Sequence, residues 1–182
     1  MGSNKKFSHP ILLLQDIESR SRANARGLPQ QKVAKDEWSG IGFRVGDLHM
    51  VAPLGHVVEI LTFPELSRVP GAKSWVLGIA NVRGNLLPVM DMKNYLFSHP
   101  AAVRKKSRVL VLNHRGVFSG LLVDEVMGMR RFYAETRAVT PDTTDSAVKP
   151  YIEHIYMYDS EQWLVFSMHK LAESQTFLQV AS

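Results

Sequence analysis

The chain has 182 residues, 45% of them hydrophobic and 21% charged, which suits one ordinary globular domain or two small lobes sharing a core. It has no cysteine, which excludes a disulfide framework and any thiolate metal site, and its apolar runs fall far short of a membrane span. A net charge of +5 and a pI near 9.6 raise nucleic acid as a partner, yet the basic residues are scattered apart from Arg104-Lys105-Lys106-Ser107-Arg108 and Arg130-Arg131, with no nucleic-acid motif beside them.

Residues 1–38 read as an extension. Within it, 10–26 has helical spacing: Pro10 suits a first helical position, Ile11, Leu14 and Ile17 recur at three-residue steps, and Gly27 ends the run. From Ser39 the period changes to two. Ile41, Phe43 and Val45 alternate with Gly42 and Arg44, Gly46-Asp47 supplies a turn, and Leu48 to Ala52 returns. Val57 to Leu61 reads as a short strand, then Trp75 to Asn81 and Leu86 to Met90 as a hairpin around Arg83-Gly84-Asn85. Asp91 has the place of an N-cap for a short helix through Tyr95 and Leu96, its carboxylate accepting an orphan backbone N–H.

The second half repeats this plan. Arg108 to Asn113 and Val117 to Val123 form a hairpin, Asp124-Glu125-Val126 parallels Val58-Glu59-Ile60, and Tyr151 to Tyr158 pairs with Trp163 to Phe166 before a capped turn from Ser167. The spacing predicts a mainly β fold of two small barrels packed on each other. The expected division is lobe one over 39–97, a linker rich in proline, alanine and charge, lobe two over 107–173, and a tail over 176–182. Trp75 and Trp163 are expected at equivalent places in the two halves, both largely buried.

Signs of catalysis are sparse. The seven histidines form no HxH, HxxxH or HExxH arrangement and read as structural or solvated. Asp124 and Glu125 are adjacent, so on a strand they point to opposite faces and cannot act as an acid/base pair. There is no G-x-S-x-G, Walker or G-x-G-x-x-G pattern. The expectation is a protein that is not an enzyme, with no catalytic residue, no cofactor and no metal.

The most informative stretch runs from Gly78 to Met92: a strand ending in Asn81, a tight turn presenting Arg83 and Gly84, and a return through Pro88 into Asp91. Taken on spacing alone it is a hairpin with a left-handed Gly84 and a solvated arginine. It resembles the signature hairpin of the CheW-like chemotaxis adaptors at Gly78, Asn81, Arg83, Gly84, Pro88 and Asp91, with Val82 in a leucine place. His56 to Ile60, Arg108 to Leu112 and Gly120 to Val126 resemble further strands of that family, so the likeness covers residues 39–175. The N-terminal extension and Trp38 to Phe43 resemble the branch serving twitching motility through type IV pili.

The resemblance implies two SH3-like five-stranded barrels and an adaptor that bridges methyl-accepting chemoreceptors and the regulatory domain of a CheA-type histidine kinase. It implies that Val57, Glu59, Gly78 and Arg83 receive the receptor's helical tip in a groove between the lobes. There Val57 would give apolar area, Gly78 would permit close approach of a helix, and Glu59 and Arg83 would set register. Asn81, Gly84, Pro88 and Asp91 would support the hairpin. The protein is expected in the cytoplasm, meeting the membrane only through receptors and binding no nucleic acid. The alternative is a nucleic-acid-binding barrel that stacks bases on Phe132 and Tyr133 beside Arg130-Arg131.

Overall fold

The computed structural model describes residues 37–138 and 145–181; the expected helix over 10–26 lies outside them. Ten strands and three short helices follow in order: β1 (Glu37–Val45), β2 (Leu48–Pro53), β3 (Glu59–Thr62), β4 (Val76–Val82), β5 (Asn85–Asp91), α1 (Met92–Phe97), β6 (Arg108–His114), β7 (Val117–Val123), β8 (Glu125–Tyr133), β9 (Ile152–Tyr158), β10 (Glu161–Phe166), α2 (Met168–Glu173) and α3 (Gln175–Leu178). The protein is mainly β, as the period-two alternation implies.

The strands form two five-stranded sheets, ordered β8-β1-β2-β10-β9 and β3-β6-β7-β5-β4. Each curls until its edges are joined. In the second sheet Ser67 and Ile79 exchange backbone hydrogen bonds at 2.9 Å, and in the first the Ala138 N–H donates to the Ile155 carbonyl at 2.8 Å. The two hairpin returns at the carboxyl ends of β5 and β10 lie parallel to β7 and β2 respectively.

This arrangement corrects the expected division at the 97–107 linker. The element plan repeats, but the lobes exchange parts. The hairpin β1–β2 takes its third strand (β8) and its second hairpin (β9–β10) from the other half of the chain, while β6–β7 takes β3 and β4–β5. The reason is the register that each third strand finds: Val58 N–H bonds to Val111 O at 2.8 Å, and the equivalent Asp124 N–H bonds to Arg44 O at 3.0 Å. Residues 39–97 therefore do not make a lobe by themselves, and neither do 107–173.

The alternation of side chains explains why central strands read as continuous apolar runs. In β6, Val109 and Val111 face the interior of the second barrel with Ala80, Leu87, Val89 and Leu122, whereas Leu110 and Leu112 face the seam between the sheets. In β10, Trp163 and Val165 fill the first barrel with Val51, Phe132 and Tyr156, whereas Leu164 and Phe166 face the seam. The seam is the larger core, drawing Phe43 and Met50 from one sheet and Met90 and Leu121 from the other. Each such side chain, fully buried, stabilises by about 1.5–3 kcal/mol.

The repeat also settles the tryptophans. Asp91 N–H bonds to Trp75 O and Ser167 N–H to Tyr151 O, both at 2.8 Å, so Trp75 corresponds to Tyr151 and Trp163 to Leu87. Trp163 is buried, but Trp75 is half-buried, stacked on Phe177 of α3 at 5.8 Å between ring centroids. The two are not equivalent because Trp163 lies in the second strand of its hairpin and Trp75 just before the first.

Candidate functional site

The β4–β5 hairpin turns through Arg83 and Gly84, whose φ angles of 52° and 85° are both left-handed. That is the twist a two-residue hairpin loop needs, and glycine adopts it freely while arginine does so at a cost. The Asn81 side chain holds the turn by accepting the Gly84 N–H at 2.9 Å. Pro88 lies opposite Ile79, and its carbonyl accepts the Ser119 hydroxyl at 3.4 Å. Asp91 is buried and does two tasks: one carboxylate oxygen caps α1 by accepting the Asn94 N–H at 3.0 Å, and the other accepts the Ala101 N–H at 2.8 Å, tying down the following linker.

From this base Arg83 reaches back to β3. Its Nη2 lies 2.7 Å from Glu59 Oε1, and its Nη1 lies 3.5 Å from Oε2. The arginine side chain is 78% exposed and the glutamate 30%. The forked guanidinium thus presents its remaining donors to solvent from a fixed position. Leu86, just past the turn, is 68% exposed, whereas Val58 and Ile60, which flank Glu59, are exposed at 61% and 41% on the opposite face of that strand. Val57 precedes β3 and packs against the seam core.

The family resemblance implies that Glu59 and Arg83 share a receptor groove, and in the structure their side chains meet directly. Gly78 has a different physical setting from the one expected. It is buried with φ of 148°, and a Cβ there would lie 2.5 Å from the Ser67 carbonyl oxygen. The backbone that approaches Gly78 closely is the chain's own 63–69 segment, which leaves no room for a partner helix at that point.

A groove of about 1010 Å³ lies elsewhere, lined by Arg44, Lys93, Arg104, Lys106, Asp124 and Glu125 among others. Its charges answer one another: Lys106 lies 3.0 Å from Glu125, and Arg44 lies 3.9 Å from Asp124 and 3.8 Å from Glu125. The second basic cluster is on β8. There Arg130 lies over the Trp163 ring at 5.4 Å, and Phe132 is 1% exposed, inside the first barrel. Phe132 therefore offers no face for base stacking, which removes half of the aromatic feature behind a nucleic-acid reading.

The structure also assembles a group that spacing could not show. His56, His169 and His114 stack face to face, with centroids 3.5 Å and 3.8 Å apart. Among the described residues no group of three or more His, Asp or Glu side chains is arranged to hold a metal ion. Nor is any described helix long and apolar enough to cross a membrane.

Residues 39–176 match the model of the CheW-like domain. Protein PilI of Pseudomonas aeruginosa is 47% identical over 172 residues, covering 94% of this chain and 96% of that protein. Protein FrzA of Myxococcus xanthus is 33% identical over 54% of this chain and 61% of its own length. Among solved structures, the scaffolding protein TtCheW from Thermoanaerobacter tengcongensis superposes with a TM-score of 0.66 at 21% identity, covering 76% of this chain and 94% of that one, a likeness of fold. The paired curled sheets, the Gly78–Asp91 hairpin and a match spanning both sheets make this chain a member of the CheW-like family.

Proposed function

We propose that the protein is a non-catalytic adaptor that couples methyl-accepting chemoreceptors to a CheA-type histidine kinase in the chemosensory system controlling twitching motility by type IV pili. The relatives support this reading, PilI over nearly the whole chain. It places the protein in the cytoplasm, at the inner face of the membrane when receptor-bound. The receptor docks at the edge formed by Val57, Glu59 and Arg83. Asn81, Gly84, Pro88 and Asp91 hold that edge still, and Gly78 acts by letting the 63–69 segment close the barrel beneath it.

The observation that carries the site is the contact between Arg83, on the β4–β5 turn, and Glu59 of β3, with Leu86 exposed on the same hairpin. A charge pair on a held turn, with an exposed leucine on the same hairpin, suits the amphipathic surface of a receptor's helical tip, with area supplying affinity and the charges register. The kinase regulatory domain takes a separate face, so one chain holds both partners. The test is reconstitution from purified chain, soluble receptor fragment and kinase regulatory domain, followed by sedimentation. A ternary complex that depends on this chain is expected; failure of the chain to bind either partner would overturn the reading.

A further inference from the structure

Three elements meet at the histidine stack. His56 ends the 3-10 turn Leu54–His56, which carries the chain from one sheet to the other. His114 ends β6 of the second sheet, and His169 lies on α2, which follows β10 of the first. The stack therefore fastens both lobes to each other at one point on the seam, with His169 sandwiched between the other two rings.

Its charged surroundings admit one proton more readily than two. His114 Nε2 lies 2.8 Å from Glu173 Oε1, which also meets Arg115 Nη1 at 2.8 Å. The Glu153 carboxylate on β9 also favours charge on His56 and His169. His56 Nδ1 is buried without a hydrogen-bond partner, so a proton placed there has no acceptor. His114 is held against Glu173, and charges on His56 and His169 would face each other with ring centroids 3.5 Å apart.

We propose that this stack is a proton-sensitive latch between the lobes, closed when the rings are neutral and loosened as acidification puts a second proton into it. Burial and the neighbouring His169 hold the His56 imidazole below its ordinary value of 6.5, and burial and His114 do the same to His169. Histidines depressed in the folded state take up protons on unfolding, so their contribution is complete above about pH 6.5 and is lost as the pH falls through the lowered folded values.

The test compares thermal midpoints of the full chain at about pH 7.5 and about pH 5.5, either side of the histidine range. His169→Phe keeps an aromatic ring in the middle of the stack but no titrating nitrogen. His154→Gln removes the other histidine held low by burial and by Arg137, which lies outside the stack. The midpoint of the unaltered protein falls by several degrees on acidification, His169→Phe loses more than half of that fall, and His154→Gln keeps it. An equal fall with and without the His169 imidazole overturns the latch, as does its disappearance in His154→Gln. Should His169→Phe not fold, NMR titration of the unaltered protein decides: His56 and His169 titrating at or above the ordinary value overturn the proposal, and titration below it supports it.

Discussion

Replacing Arg83 by glycine separates docking from folding. The Arg83–Glu59 pair is an exposed ion pair, worth about 0.2–1 kcal/mol. Arginine at φ of 52° is in a left-handed conformation that costs an L-residue roughly 1–2 kcal/mol, which glycine does not incur. Glycine in turn loses roughly 0.5–1 kcal/mol of chain entropy. These contributions nearly cancel, so Arg83→Gly should unfold within about 1 kcal/mol of the parent in urea, while Arg83→Ala should lose up to about 1 kcal/mol. Docking is a different matter. An arginine that anchors an interface is worth about 2 kcal/mol or more, roughly a thirty-fold loss of affinity, in either variant. Isothermal titration with a soluble receptor fragment measures it. The double exchange Glu59→Arg with Arg83→Glu restores an ion pair but moves the guanidinium off the hairpin, so it should fold and still bind poorly. Receptor affinity within two-fold of the parent for Arg83→Gly (about 0.4 kcal/mol) would refute the docking role. Full recovery of binding by the double exchange would show that the pair matters only for shape.

Gly78→Ala should cost about 2 kcal/mol or more in a denaturant melt, because its Cβ would press on the Ser67 carbonyl and its φ of 148° is unsuited to alanine. Asp91→Ala should cost about 2 kcal/mol and free the linker, seen as faster amide exchange at Ala101, since two backbone donors lose their acceptor. Ser167→Ala, losing the equivalent cap but only one bond, should cost about 1 kcal/mol by the same measurement. Iodide should leave Trp163 fluorescence nearly unquenched and reach Trp75, a contrast that single-tryptophan variants resolve.

Local chemistry was legible in the sequence. Period-two runs marked both sides of the hairpins, turn residues such as Arg83-Gly84 and Arg115-Gly116 marked their tips, and Asp91 and Ser167 sit at the helix starts that their side chains cap. Partnership between distant strands was not legible. β3 is short and can add to either hairpin by pattern alone; in the structure it pairs with β6 and packs Leu61 into the second barrel. β8 shows a strand pattern only at its start, because Gly128 and the Arg130-Arg131 pair interrupt its apolar alternation, although Arg130 finds cover over Trp163. For the candidate site, Glu59 and Arg83 were legible only through family resemblance, and their direct contact needed the barrel to close. The three histidines are scattered in the sequence, and 56, 114 and 169 meet only after both lobes have formed.

The exchange of strands between lobes has a consequence for how the molecule holds itself as one object. The first half of the chain and the second stand to each other as two subunits of an intertwined homodimer, each lending its partner a strand and a hairpin, with residues 98–107 as a covalent tether. Such a tether contributes effective concentration, on the order of millimolar for a short connection, rather than contacts. A chain nicked between Val103 and Arg104 should therefore stay associated and native at high protein concentration, then fall apart on dilution as an obligate pair does. Neither half would survive alone as a small barrel, because each carries only the pieces of two incomplete ones.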